Sequence, residues 1–411
     1  LDQANLTTSA QLQGFAETAI GSSLAGSKSI AGTHALVTDE HYKHTLGIVR
    51  QLGRQGVLVS VVAGSKESLA CRSRYCHQVI LAENGSAESL VKTTLRAVQE
   101  KHFDVVIPVS YSMTMALAQR KDQLLPFTRL ELPHYQTIGQ AADKLEMARL
   151  AQRVGVPTPR TIRASERDRL NPELPFPLVI KPQREFPRRP PIHYVHNKEE
   201  LSTALLELSD PRDGSAGSDL IVQEYIPGRG CGLFATYQNG VCKRVFMHRR
   251  VREYPATGGV SSCAESFWDS TLESHGRRML DALNWHGVAM VEFRQDDRDS
   301  EYKLMEINPK FWGSLDLAMA AGADFPGDLC RMALGQTLLF TDQYRRDLRF
   351  HWPLSGQGDL YHVWTRPQSL FAVVLDLLNP RVRSNVWWGD LGPNLSEMGS
   401  LAARAFRPRK A

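Results

Sequence analysis

A chain of 411 residues is too long for one ordinary core and implies two or three lobes. With 42% hydrophobic and 23% charged residues it reads as a soluble globular protein, and no stretch approaches the roughly 18 to 20 consecutive apolar residues that span a bilayer. A formal charge of +5 is too small for a nucleic-acid-binding coat, and interleaved aromatics are missing, so neither membrane nor nucleic acid is an expected partner.

Residues 1–32 are polar and small and are expected to form a flexible tail. They hold no basic stretch leading into an apolar one, which argues against a signal peptide, while Leu1 in place of Met implies a natural start further upstream. HALVTD (34–39) reads as a buried strand, followed by a helical run from His41 to Gln55 and strands over 57–64 and 76–83. Apolar residues at helical spacing over 88–102 then lead into a fourth strand, 103–110. Near-continuous apolar strands alternating with helices predict an open parallel sheet covered on both faces, in a first lobe over 33–130. His41 and His44 lie one helical turn apart, but no carboxylate or motif joins them or His34 in a metal site, and they are read as surface or core histidines.

A helix is marked next. Asp143 is placed to cap it, Glu146 completes a capping-box-like pair, and Met147, Leu150, Ala151 and Val154 share one face before Gly155 and Pro157 stop it. Strands follow over 177–182, 219–228, 232–250, 288–295 and 302–309, with Gln238–Asn239–Gly240 as a hairpin turn. Helices are expected at about 271–284 and 315–333. Strands joined by hairpins with helices to the side predict an α+β lobe over 131–340. Residues 341–411, rich in Arg, Trp and Pro, read as a C-terminal extension. Cys71, Cys76, Cys231, Cys242, Cys263 and Cys330 show no CxxC pair or zinc-finger spacing, so reduced thiols and a cytoplasmic location are expected.

The sharpest chemistry lies in VEFRQDDRDSEYKLMEINPK (291–310). Strand alternation puts Glu292 opposite in face to Val291 and Phe293, and puts Glu306 and Asn308 together on one face. A hairpin centred on Asp299 sets Glu292 directly across from Glu306, roughly 5 Å apart at Cβ. Facing carboxylates repel unless a cation lies between them, and magnesium, which prefers oxygen ligands and keeps substrate phosphates in its shell, is the natural candidate. The competing reading is a hairpin whose acids point to water. Upstream, Lys144 opens the capped helix and Lys181 ends the apolar strand LVIKP, where an ammonium near a cleft neutralises phosphate oxygens. The segment Lys181–Arg189 (KPQREFPRR) forms a basic spot suited to a polyanionic small molecule. The strand ending Glu224–Tyr225–Ile226–Pro227–Gly228 makes a sharp hinge whose exposed backbone suits the edge of an adenine.

The order of lysine, strand lysine, QEYIPG and a carboxylate hairpin ending EINP resembles the ATP-grasp superfamily over about 131–340. Bacterial carboxylate–amine ligases resemble the chain further in SLACRSRYC (68–76), HRRVREYPATGG (248–259), WHGVAMVEF (285–293) and MEINPKFWGSLDLAMAAGADFP (305–326). The resemblance implies a Rossmann-like N-terminal domain (α/β) followed by a two-lobed ATP-grasp fold (α+β). It implies ATP with one or two magnesium ions, manganese being an alternative, and small-molecule carboxylate and amine substrates, in a chain that can form a homodimer. Lys144 and Lys181 would contact the phosphates; Glu224, Tyr225 and Ile226 would hold adenine; Glu292, Glu306 and Asn308 would hold the metal. Lys310 stands where Arg is common in the superfamily and would meet the transferring phosphoryl group. Arg249 and Arg250, with Arg252, would line the carboxylate pocket, and Phe311–Trp312–Gly313 would wall the site. The expected activity is ATP-dependent activation of a carboxylate as an acyl phosphate and its coupling to an amine. The alternatives are an ATP-grasp carboxylase or phosphotransferase with a non-amine acceptor, or a nucleotide-binding protein with degraded catalysis, suggested by the Pro- and Arg-rich PQREFPRRPPIHYV where many relatives have a glycine-rich loop.

Overall fold

The computed structural model describes residues 28–169, 175–184, 192–208, 220–254, 259–354, 358–359, 363 and 366–405. Most of the expected tail, and residues 185–191 of the Pro- and Arg-rich segment, lie outside these.

Four short apolar strands, β1 (His34–Val37), β2 (Leu58–Ala63), β3 (Cys76–Leu81) and β4 (Val105–Ile107), form a parallel sheet in the order β3-β2-β1-β4. Both faces are covered because alternate residues of β1 go opposite ways. Ala35 and Val37 pack with Ile48, Val49 and Leu52 of the Lys43–Arg54 helix. Leu36 packs with Leu90, Val91 and Val98 of the Ala87–Glu100 helix. Each of the Val, Leu and Ile side chains contributes about 1.5–3 kcal/mol when fully buried.

The small antiparallel sheet has β5 (Thr161–Arg163), β6 (Leu178–Pro182), β7 (His193–Val195) and β8 (Leu220–Glu224) in the order β5-β8-β6-β7. One face lies on Leu201, Ala204 and Leu205 of the Lys198–Leu208 helix.

The largest sheet contains β9 (Gly228–Gln238), β10 (Val241–Tyr254), β11 (Val260–Ser266), β12 (Gly287–Asp296), β13 (Tyr302–Asn308), β14 (Arg349–His351) and β15 (Arg383–Ser384), in the order β13-β12-β9-β10-β11-β14-β15. Leu233, Ala235, Val291 and Phe293 pack on the Ser270–Ala282 helix. Phe234, Phe246 and Met290 face the other way, into a core that includes Trp312, Phe325 and the Lys43–Arg54 helix. That shared core joins the largest sheet to the parallel one.

The hairpin turn expected at Gln238–Asn239–Gly240 divides the run 232–250 into two strands, and Asn239 and Gly240 both take positive φ (52° and 78°) as a tight turn requires. Two expectations need correction. The helix expected over 315–333 is two, Leu315–Ala320 and Phe325–Ala333, separated at Gly322 (φ 99°) and restarted by the Asp324 cap on the Gly327 N–H. The segment after 341 is not simply appended, since β14 pairs with β11 and β15 extends the sheet. Asp143 caps the Lys144–Arg153 helix as expected, accepting from the Leu145 and Glu146 N–H groups at 3.1 Å. Glu146 does not bond back; its carboxylate takes Arg149 at 2.8 Å.

Candidate active site

A cavity of about 1070 Å³ opens between the three sheets. Ten of the twelve binding and catalytic side chains expected at the site line it: Lys144, Lys181, Glu224, Tyr225, Ile226, Arg250, Glu292, Glu306, Asn308 and Lys310.

Glu292 and Glu306 are register partners across the β12–β13 hairpin. The Arg250 Nη2 donates to Glu292 Oε1 at 2.6 Å while its Nη1 donates to Glu253 at 3.0 Å. Lys144 Nζ lies 3.4 Å from Glu306 Oε2, and the Asn308 amide donates to Glu306 Oε1 at 3.0 Å. Burial pushes the Glu292 carboxyl above the usual carboxylate range, and the charge of Glu306 adds to this against the opposing pull of Arg250.

Lys181 ends β6 and is 8% exposed. Burial lowers its ammonium to about 8; Lys144 and Arg294 push the same way, while Glu306 and Glu292 oppose. The two lysines are held close by a contact the sequence did not announce. Asp143, besides capping, accepts from Gln183 at 2.8 Å and Arg184 at 3.0 Å, and the Lys144 N–H donates to the Gln183 carbonyl at 2.9 Å. The cap therefore staples the first lysine's helix to the strand carrying the second.

At the hinge, Ile226 is buried and Tyr225 meets the Tyr194 ring edge-on at 5.8 Å. The Glu224 carboxylate accepts from Arg298 at 2.8 Å and from the Arg160 N–H at 3.3 Å. Its carboxylate is thus occupied in fixing the strand end. Phe311 and Trp312 wall the cavity, the Trp312 ring tilted 38° to that of Phe234 with centroids 4.5 Å apart. His248 donates or accepts through Ser314 at 2.6 Å, and burial lowers its imidazole to about 3, so it is neutral.

Two of the three arginines are elsewhere. Arg249 points to the other face of β10, bonds Glu265 at 2.8 Å and lines a separate cavity of about 310 Å³. A bulge between Arg250 and Arg252 turns Arg252 away, into bonds with Asp359 at 2.6 Å and 3.0 Å and Asp376 at 2.6 Å. The physical reason is plain: neighbouring residues of a strand face oppositely, and the bulge breaks the period.

Magnesium fits this donor set. Among the described residues no cluster of three or more His, Cys, Asp or Glu could hold an ion by itself. Two facing carboxylates with an adjacent amide form the partial set that magnesium completes with water and substrate phosphates. All six cysteines are free. No helix among the described residues is long and apolar enough to cross a membrane.

Residues 217–352 match the family described as "ATP-grasp in the biosynthetic pathway with Ter operon". A D-aspartate ligase of Enterococcus faecium (strain Aus0004) is 22% identical over 242 residues, covering 53% of this chain and 57% of the ligase, little more than half of that relative's length. Among solved structures, a biotin carboxylase of Campylobacter jejuni in a beta-gamma-ATP complex superposes with TM-score 0.65 at 16% identity, covering 77% of this chain and 74% of that one. An L-amino acid ligase of Bacillus licheniformis gives TM-score 0.58 at 16% identity, covering 75% of each chain. The two superpositions show that the fold is shared with these two solved structures. The chain has the fold of these ATP-grasp proteins, and its residues 217–352 match an ATP-grasp family.

Proposed function

We propose that this chain is an ATP-dependent carboxylate–amine ligase. The observation that carries the proposal is the single cavity lined by Lys144, Lys181, Glu292, Glu306, Asn308 and Lys310 together with the hinge at 224–226. The relatives named D-aspartate ligase and L-amino acid ligase support C–N bond formation as the reaction type.

In this reading the hinge seats adenine, and Lys144 and Lys181 neutralise the triphosphate. Glu292, Glu306 and Asn308 would hold magnesium, which supplies charge neutralisation between the phosphates. Arg250 and Lys310 face the acceptor end, where they orient a substrate carboxylate for attack on the γ-phosphorus. That attack breaks the bond to ADP and leaves an acyl phosphate; phosphate is a far better leaving group than oxide. An amine nitrogen then attacks the acyl carbon, phosphate departs, and the amide forms as the nitrogen gives up its proton. The cavity walls at Phe311 and Trp312 exclude water that would otherwise hydrolyse the acyl phosphate.

The test is ADP release from ATP and magnesium with a panel of amino-acid pairs, with mass spectrometry for the amide, comparing the wild type with Glu306→Gln. Amine-dependent ADP release that the variant loses supports the ligase. ADP release driven by bicarbonate and indifferent to amines points instead to a carboxylase. Nucleotide binding with no ADP formed across the panel marks a protein that has lost its chemistry.

A further inference from the structure

The parallel sheet reverses its strand order at β1, which has β2 on one side and β4 on the other. Loops leaving two such strands diverge, and the crevice outside their carboxyl ends is where open α/β sheets take ligands. Here the crevice is braced. Asp39, just past β1, accepts from the N–H groups of Val109 and Ser110, just past β4, at 3.2 Å and 2.9 Å. Lys43, which opens the helix after β1, and Ser110, just past β4, line the large cavity.

Glu397 lines the same cavity, although it belongs to the C-terminal helix Leu391–Ala405. It is brought there by a buried anchor. Arg50 pairs with Asp390 at 2.8 Å and donates to the Asp390 carbonyl at 2.9 Å and to Asn394 at 3.4 Å; Asp390 also accepts from Ser73 at 2.7 Å. The placement of Glu397 therefore follows from interactions unrelated to its own side chain.

Lys43 and Glu397 put opposite charges into one cavity without meeting. Among the described residues neither forms a hydrogen bond or an ion pair; Lys43 Nζ lies 4.4 Å from the Trp352 ring centre, and that indole donates to Asp316 at 2.9 Å. Burial lowers the Lys43 ammonium to about 8 against the pull of Asp316 and Glu397, and raises the Glu397 carboxyl against the pull of Lys43, so the charges inside the protein offset burial only in part. Charges withdrawn from water need compensation, and a molecule carrying both signs provides it to both. An α-amino acid is the smallest such molecule.

We infer that the switch-point crevice is an amino-acid site in which Glu397 accepts the ammonium group and Lys43 joins Arg250 and Lys310 in holding the carboxylate, making Glu397 a specificity-determining residue contributed by the C-terminal helix. The chemistry also assigns an order. An ammonium held against Glu397 keeps its proton and is no nucleophile, so the amino acid seated here is the carboxylate donor and the amine enters separately. The binding rests on the cavity alone; the donor role rests on the ligase reading.

The test is calorimetric titration of the full chain with the common α-amino acids in both L and D forms, each beside its matched 2-hydroxy acid, for wild type, Glu397→Gln and Glu397→Asp. The expected result is at least one amino acid whose affinity falls by at least about tenfold in Glu397→Gln, the loss of one charge-assisted hydrogen bond, and is partly restored in Glu397→Asp. Affinity for the 2-hydroxy acid and for ATP should stay within about twofold, which a merely structural role would not ensure. The inference is overturned by wild-type protein that binds no amino acid, by equal affinity for amino and hydroxy acids, or by amino-acid affinity unchanged in Glu397→Gln. Binding that depends on Glu397 without any ADP release sustains the site and sinks the ligase reading alone.

Discussion

Arg250 reaches Glu292 at 2.6 Å from a strand that is not its neighbour. β10 and β12 are separated by β9, and the guanidinium crosses β9 at Gly230. A Cβ added there would meet Arg250 Cδ at 2.9 Å and Nε at 3.2 Å. The bare backbone of one residue therefore determines whether a cation of the protein engages one of the paired carboxylates.

Gly230→Ala tests that dependence. The methyl group displaces Arg250 from Glu292 while leaving the β9 ladder intact. Turnover should fall by about tenfold or more, as for loss of a charge-assisted hydrogen bond, and because Glu292 loses its buried cation, stability should fall as well, by up to about 3 kcal/mol. Steady-state kinetics beside urea denaturation separate the two; equal turnover in the variant shows that the crossing is incidental.

Arg250→Met removes the shared partner of Glu253 and Glu292, whose side chains are largely buried. Stranding buried carboxylates costs about 3–5 kcal/mol. The urea midpoint should drop accordingly, and magnesium with ATP should recover part of the loss by supplying another cation to Glu292. A variant as stable as wild type without nucleotide contradicts the pairing.

Lys181 carries a pH signature. Its ammonium is lowered by burial, and then by Lys144, from the ordinary 10.5 to about 8. Between those values the unfolded chain binds more protons at this position than the folded one, so the site's contribution to stability rises with pH across the window. Its penalty is complete below about pH 8 and relieved as pH approaches 10.5. A triphosphate against Lys181 favours the charged form, so nucleotide binding above pH 8 should take up as much as about one proton. Titration calorimetry in two buffers of different ionisation enthalpy measures that uptake; the same uptake in Lys181→Met rules out this lysine as its source.

The parts legible in the sequence are those whose signal is local. Ala35, Leu36 and Val37 read as a strand because both faces of a parallel sheet are buried, and Glu292 does fall opposite Glu306, although only through an irregularity after Glu292, where Phe293 pairs with Leu304, that no local signal announces. The capping role of Asp143 is likewise a matter of three successive residues. What escaped depends on contacts distant in sequence. β11 (VSSCAES) has no apolar alternation to announce it and is held between β10 and β14. Arg249, Arg250 and Arg252 look alike in the sequence, but only a bulge and the facing partners Glu265, Glu292 and Asp359 sort them. Glu397 carries no motif; its place follows from Arg50 and Asp390, residues that pair across most of the chain's length.

That last pair is open to direct measurement. Arg50 and Asp390 have side chains only 4% and 2% exposed, and Arg50 also lies 5.0 Å from the centre of the Trp387 ring. Arg50→Met leaves the Asp390 carboxylate buried with only Ser73 and the Arg74 N–H as donors, at 2.7 Å and 2.9 Å. The expected loss is about 3–5 kcal/mol, and Asp390→Asn should cost a similar amount by stranding the guanidinium. Because the two changes remove one interaction, the double variant should be more stable than the sum of the singles by at least about 1 kcal/mol. Urea unfolding of the four proteins closes the cycle, and additive losses would show that the ion pair does not bind the C-terminal helix to the N-terminal lobe. If the helix is released as a unit, protease cleavage within 391–405 should quicken in both single variants, since a packed helix resists cleavage until it opens.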